Sequence, residues 1–209
     1  MNSIIAEKKF ISERTGIPYS NLSQAYLRAE TLLGGLSSYD FELQRNNVAN
    51  PNVTERLLNL NDEFVITHMT IALKAVPDTL TATDHLITTL SNFGVTEAGA
   101  ITNGESIYNS SLSMIIDRKE FLPNYDVRFF RRVPDQQQGL NATGGATNQN
   151  AVTNGLFGFA PFEPVKIDGR QTIDTTIDLG AAVTITPPAS HEAFACLIVR
   201  GYLVVNAKS

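Results

Sequence analysis

At 209 residues, with 43% hydrophobic and 18% charged residues and a formal net charge of −5, the chain is long enough for one sizeable core. It is too acidic for non-specific binding to nucleic acid or anionic membranes. The charged fraction lies below the roughly 25% usual in globular chains, so Asn, Thr, Ser and Gln carry much of the polarity. The single cysteine, Cys196, excludes a disulfide scaffold, and its apolar surroundings mark it as a small buried hydrophobe, not a nucleophile. The opening residues hold too short an apolar stretch for a secretory signal. No run approaches the roughly 18 apolar residues that span a bilayer, so no membrane partner is expected and synthesis in a cytoplasm is.

In chain order, Ser3 to Thr15 mixes Ile4, Ile5, Phe10 and Ile11 with charged residues before Gly16 and Pro18, the pattern of a short amphipathic helix with a glycine stop. Asn21, with Gln24 three residues on, precedes Leu22, Ala25, Tyr26, Ala29, Leu32 and Leu33 at helical spacing, and Gly34-Gly35 ends the run. Residues 1–35 therefore read as a helical N-terminal arm and 36–209 as a β-rich domain. From Leu36 the period changes to two: Tyr39, Phe41 and Leu43 alternate with polar residues. Asp62 to Val76 is a strand about twice the usual length, which predicts a bulge or bend within it. Thr83 to Gly94 reads as an inserted helix.

Ser106 to Arg118 and Tyr125 to Val133 return to strand composition. Gln136 to Gly155, uncharged and nearly without apolar residues, reads as a long loop. Leu156 to Ile167, interrupted by Pro161 and Pro164, is then an edge strand or extended segment. Asp168-Gly169 signals a tight turn before a strand over Gln171 to Leu179. Ala182 to Thr186 is a short β-prone run. Ala193 to Asn206 is the most apolar and β-prone stretch of all, as expected of a strand buried on both faces. Strands do not alternate regularly with helices, so an antiparallel β-sandwich fits, and the jelly roll accommodates its uneven loops.

Residues with chemical potential are scattered. His68, His85 and His191 show no metal-ligand spacing, so no cofactor or metal is expected. Asp40 and Glu42 share a strand face, as any two alternate polar positions do, and the Trp-free chain has no tryptophan platform for a sugar; an enzyme is not expected. Arg128, Arg131 and Arg132 interleave with Phe129 and Phe130. Arginines for phosphate and aromatics for stacking make a nucleic-acid contact one reading. Pairing with carboxylates of this chain or of a neighbouring subunit is the favoured one. Arg200 is a single charge in the apolar final strand; if buried it needs a carboxylate or carbonyl partner, within the chain or across a subunit contact.

The helical arm, β-rich body, long Asn/Gln/Gly/Thr loop, low charge and closing Asp168-Gly-Arg-Gln-Thr-Ile to Arg200-Gly-Tyr-Leu-Val-Val segment together resemble coat or auxiliary capsid proteins of icosahedral viruses, bacteriophages included. The resemblance implies a single jelly roll in a virion, made in the host cytoplasm. Such a subunit works by self-assembly, with its own copies and other virion subunits as partners. The alternative from a different class is a carbohydrate- or receptor-binding β-sandwich module.

Overall fold

The structure, a computed structural model, describes residues 2–49, 51–52, 54–77, 95–96, 99–130, 137–140, 146–149, 160–187, 189–205 and 207. The order of elements is α1 (Asn2–Thr15), β1 (Ser23–Leu32), β2 (Ser38–Asp40), β3 (Glu63–Pro77), β4 (Val95–Thr96), β5 (Gly99–Ala100), α2 (Glu105–Tyr108), β6 (Ser111–Ile116), β7 (Lys119–Asp126), β8 (Gln137–Leu140), β9 (Ala146–Gln149), β10 (Ala160–Asp168), β11 (Ile173–Asp178) and β12 (His191–Val204). Two antiparallel four-stranded sheets, ordered β1-β12-β3-β10 and β2-β11-β6-β7, make a β-sandwich. The pairing is nested. Of these eight strands, the first pairs with the last, the second with the seventh, the third with the sixth and the fourth with the fifth, and successive pairs fall in alternate sheets.

Alternation decides what goes inside. β11 turns Ile173, Thr175 and Ile177 inward and Asp174, Thr176 and Asp178 outward. β12 sends Ala193, Ala195, Leu197 and Val199 into the shared core, and its other face is buried as well. β3 needs a correction along its length: Phe64 and Ile66 face the core, then Met69, Ile71 and Leu73 do. The change of parity is the expected bulge. Arg200 pairs with His68 and Gly201 with Ile66, so Thr67 is the extra residue. Beside it, Gly201 lets two backbones approach closely. A Cβ there would collide with the Val65 carbonyl oxygen and lie 3.1 Å from the Phe64 ring.

Several expectations change. Residues 21–33 are not a helix: 23–32 form β1, in register with β12 from Ser23–Leu203 to Leu32–Phe194. The same apolar residues satisfy both periods, and a ten-residue ladder with the most apolar strand outweighs a modest local helix preference. Only Asn2–Thr15 of the arm is α-helical, and β1 belongs to the sandwich. The arm lies on its own chain: Ile11 and Ile17 join Leu22, Val65, Tyr202 and Val204 in a second apolar cluster outside the first sheet. The inserted helix at 83–94 lies outside the described residues.

The strand expected from Ser106 starts only at Ser111, after the single turn of α2. The strand expected over 125–133 stops at Asp126, and Val127–Phe130 is a 3-10 turn. Asp126 causes the stop, its carboxylate accepting from both the Arg128 amide and side chain. Within the 136–155 loop, β8 and β9 pair as a hairpin, and the remainder lies outside the described residues. Ala182 to Thr186 contributes one bridge, Thr102–Thr186, and no strand. The proline-bearing 160–168 segment is an edge strand, as its prolines require.

Candidate functional site

Of the four arginines singled out from the sequence, Arg128 lies on the 3-10 turn at Val127–Phe130 and Arg200 on β12, and Arg131 and Arg132 lie outside the described residues. The Arg128 Nη2 sits 2.7 Å from Asp126 Oδ2, and the hydrogen bond and charge of Asp126 raise the guanidinium pKa while Arg128 holds the Asp126 carboxyl low. Arg128 therefore takes the intrachain pairing favoured from sequence. Its aromatic neighbours diverge: Phe129 is exposed and Phe130 is buried in the core, so the two do not form a joint stacking platform.

Arg200 is the more informative residue. It is half-buried, and among the described residues its guanidinium makes no ion pair or hydrogen bond. Because it is only half-buried, it does not need the partner that a fully buried charge would require. Across the ladder Arg200 stands between Tyr26 of β1 and His68 of β3, all three on the outer side of the first sheet. Thr67 Oγ1 donates to the Arg200 carbonyl at 3.1 Å. Burial lowers the His68 pKa, Glu7 on α1 opposes that shift, and the Arg200 charge adds to it. Among the described residues the adjacent Tyr202 hydroxyl is buried with no hydrogen bond of normal geometry, and burial together with Glu7 pushes it up to about 12.

The same outer side carries a second feature that sequence reading missed. Glu30 accepts from Arg28 Nε at 2.7 Å, from Lys74 Nζ at 2.7 Å and from Thr54, with its own side chain fully buried. Burial pushes the Glu30 carboxyl up, but the hydrogen bonds from Lys74 and Thr54 and the two cations outweigh it and hold the pKa below its ordinary 4.5. Glu55 caps the Glu30 amide at 2.9 Å, and Arg28 Nη2 donates to Cys196 Sγ at 3.4 Å. This network pins residues 52 and 54–56 over one end of the sheet while α1 covers the other. Burial pushes the Cys196 thiol up to about 12, which leaves it without thiolate character at neutral pH. The signal was present: Arg28 and Glu30 are two apart, and on a strand that places them on one face.

His68 and His191 stay separate, the first opposite Arg200 and the second opposite Pro77 in the β3–β12 ladder. His191 Nδ1 contacts the Ala189 carbonyl at 2.8 Å, and His85 lies outside the described residues. Among the described residues no three His, Cys, Asp or Glu side chains gather to hold a metal ion. No family model, curated protein or solved structure matches the chain. Geometry therefore carries the functional argument: a covered outer sheet face interrupted near Tyr26, Arg200 and His68, and a second sheet whose outer face is polar and open.

Proposed function

We propose that the chain is a single jelly-roll subunit of a virion, a capsid or capsid-associated protein acting by self-assembly. The observation that carries the reading is the nested pairing of eight strands into alternate sheets, the connectivity expected when one long folded-over hairpin rolls into a sandwich. A fold alone does not set a function. The arm adds weight. Fourteen residues of helix bury Ile11 against the sandwich and leave Ile4, Ile5 and Phe10 at 46%, 54% and 53% exposure, apolar surface that a neighbouring subunit would cover. The subunit is made in a host cytoplasm and functions in the particle, with its own copies and other virion subunits as partners.

The reading predicts a discrete assembly, a multiple of the 22.8 kDa chain, by light scattering, and rings or shells in electron micrographs. A monomer at every concentration overturns it. Removing residues 2–17 tests the arm while sparing β1; it is expected to reduce assembly and leave a folded sandwich. The second reading, a carbohydrate- or receptor-binding module, draws on the hydroxyl and carboxylate groups of Asp40, Thr176, Asp174 and Asp178 on the open face. Selective binding on a glycan array by a monomeric chain favours it.

A further inference from the structure

The four edges of the two sheets are not equivalent. β10 carries Pro161 and Pro164 and breaks register between Pro161 and Val165. β7 carries Pro123 and shifts register twice against β6. β2 is three residues long. Each is a poor template for another strand. β1 is protected over its second half only, where Arg28 exchanges amide hydrogen bonds with Arg56 at 2.8 and 2.9 Å and Glu55 caps the Glu30 amide.

Those bonds reveal which way the backbone points. Arg28 and Glu30 direct their amides away from β12, so Gln24 and Tyr26, in phase with them, do the same. Among the described residues nothing bonds these outward groups. Ser23, Gln24 and Tyr26 are exposed, Tyr26 at 51%, and Ser23 to Leu27 contains no proline, charge or register break.

We propose that this open edge takes β1 of a second copy, antiparallel about a two-fold axis at Ala25, joining two first sheets into one. In that register Gln24 faces the second copy's Tyr26, and the reverse, so both hydrogen-bonding pairs are complete and the two Ala25 residues face each other. The lengths agree. The strand begins at Ser23, after the 3-10 turn at Tyr19–Asn21, so the second copy leaves the ladder where Arg56 already holds the edge beside Arg28. No like charges meet within the window. Tyr26 of each copy, beside the half-buried Arg200, flanks the axis and faces Gln24 of the other.

The inference rests on the self-assembly reading and specifies its contact. Gln24→Pro and Tyr26→Pro each remove an outward amide that the sandwich does not use, so circular dichroism and a cooperative melt should stay those of the wild type. In sedimentation velocity, the largest species of each variant should fall to half the wild-type mass or less. Folded variants that keep the wild-type mass overturn the edge contact and leave self-assembly standing. A monomeric wild type overturns both. If the proline variants do not fold, the doubly substituted Gln24→Lys, Tyr26→Lys chain sets lysines opposite one another across the axis. It is judged by the same halving of mass.

Discussion

The two sheets fill one core and then use their outer faces in opposite ways. On the first sheet, Val65, Cys196, Ile198, Tyr202 and Val204 are buried on the outer side, under α1 at one end and residues 52 and 54–56 at the other. On the second, Asp40, Asp174 and Asp178 stand in water, with Thr176 donating to Asp40 Oδ1 at 2.6 Å as a surface contact. The difference explains two sequence patterns. β12 is apolar without a period because both its faces are covered, whereas β11 alternates strictly because one is. A buried outer face also makes its polar groups costly, and there the chain places a closed network in place of single charges.

Substitutions that treat the two faces alike should have unlike effects. Glu30→Ala leaves Arg28 and Lys74 buried without their anion and should cost about 3–5 kcal/mol in chemical denaturation. Asp174→Ala on the open face should change stability by no more than about 0.5 kcal/mol. Equal losses would remove the distinction. Gly201→Ala drives a methyl group into the β3 backbone and should cost about 3 kcal/mol, read as a lower melting temperature.

Acid sharpens the contrast further. Glu30 has a folded pKa below 4.5, so its stabilisation is complete above that value and is lost as pH falls through the folded value. His68, held below 6.5, acts in the same direction: the fold disfavours its protonation, and stability declines as pH falls below 6.5. Urea midpoints between pH 7 and 3 should therefore drop, and Glu30→Gln should flatten the part below 4.5. The core itself offers a gain in place of a loss. Among the described residues Thr175 Oγ1 is buried with no hydrogen-bond partner, so Thr175→Val should stabilise by about 1 kcal/mol, measured by the urea midpoint.

Legibility from sequence followed how local the deciding forces are. The long strand ending at Pro77, its bulge, the proline-marked edge of β10 and the doubly apolar β12 were readable because period and proline chemistry act within a few residues. β1 was not. Ala25, Ala29 and Leu33 suit a helix, Ala25, Leu27 and Ala29 suit a strand, and the choice depends on β12, far along the chain. The break at Asp126 came from a side chain competing for backbone amides, a signal present at Asp126-Val-Arg128 but overruled by the aromatic run after it. The Arg28–Glu30–Lys74 network was invisible while 21–33 read as a helix, since Lys74 meets Glu30 only after β1 and β3 flank β12. Arg200 stands out as the one charge in an apolar run, but its surroundings depend on a bulge whose position no local pattern marks.

The contrast between the faces can be measured directly by labelling carboxylates of the folded chain with a water-soluble carbodiimide and an amine, then mapping the products by mass spectrometry. Asp174 and Asp178 should label readily while Glu30 stays unmodified until the chain is unfolded. Labelling of Glu30 in the folded chain at a rate comparable to Asp174 would contradict the closed outer face of the first sheet.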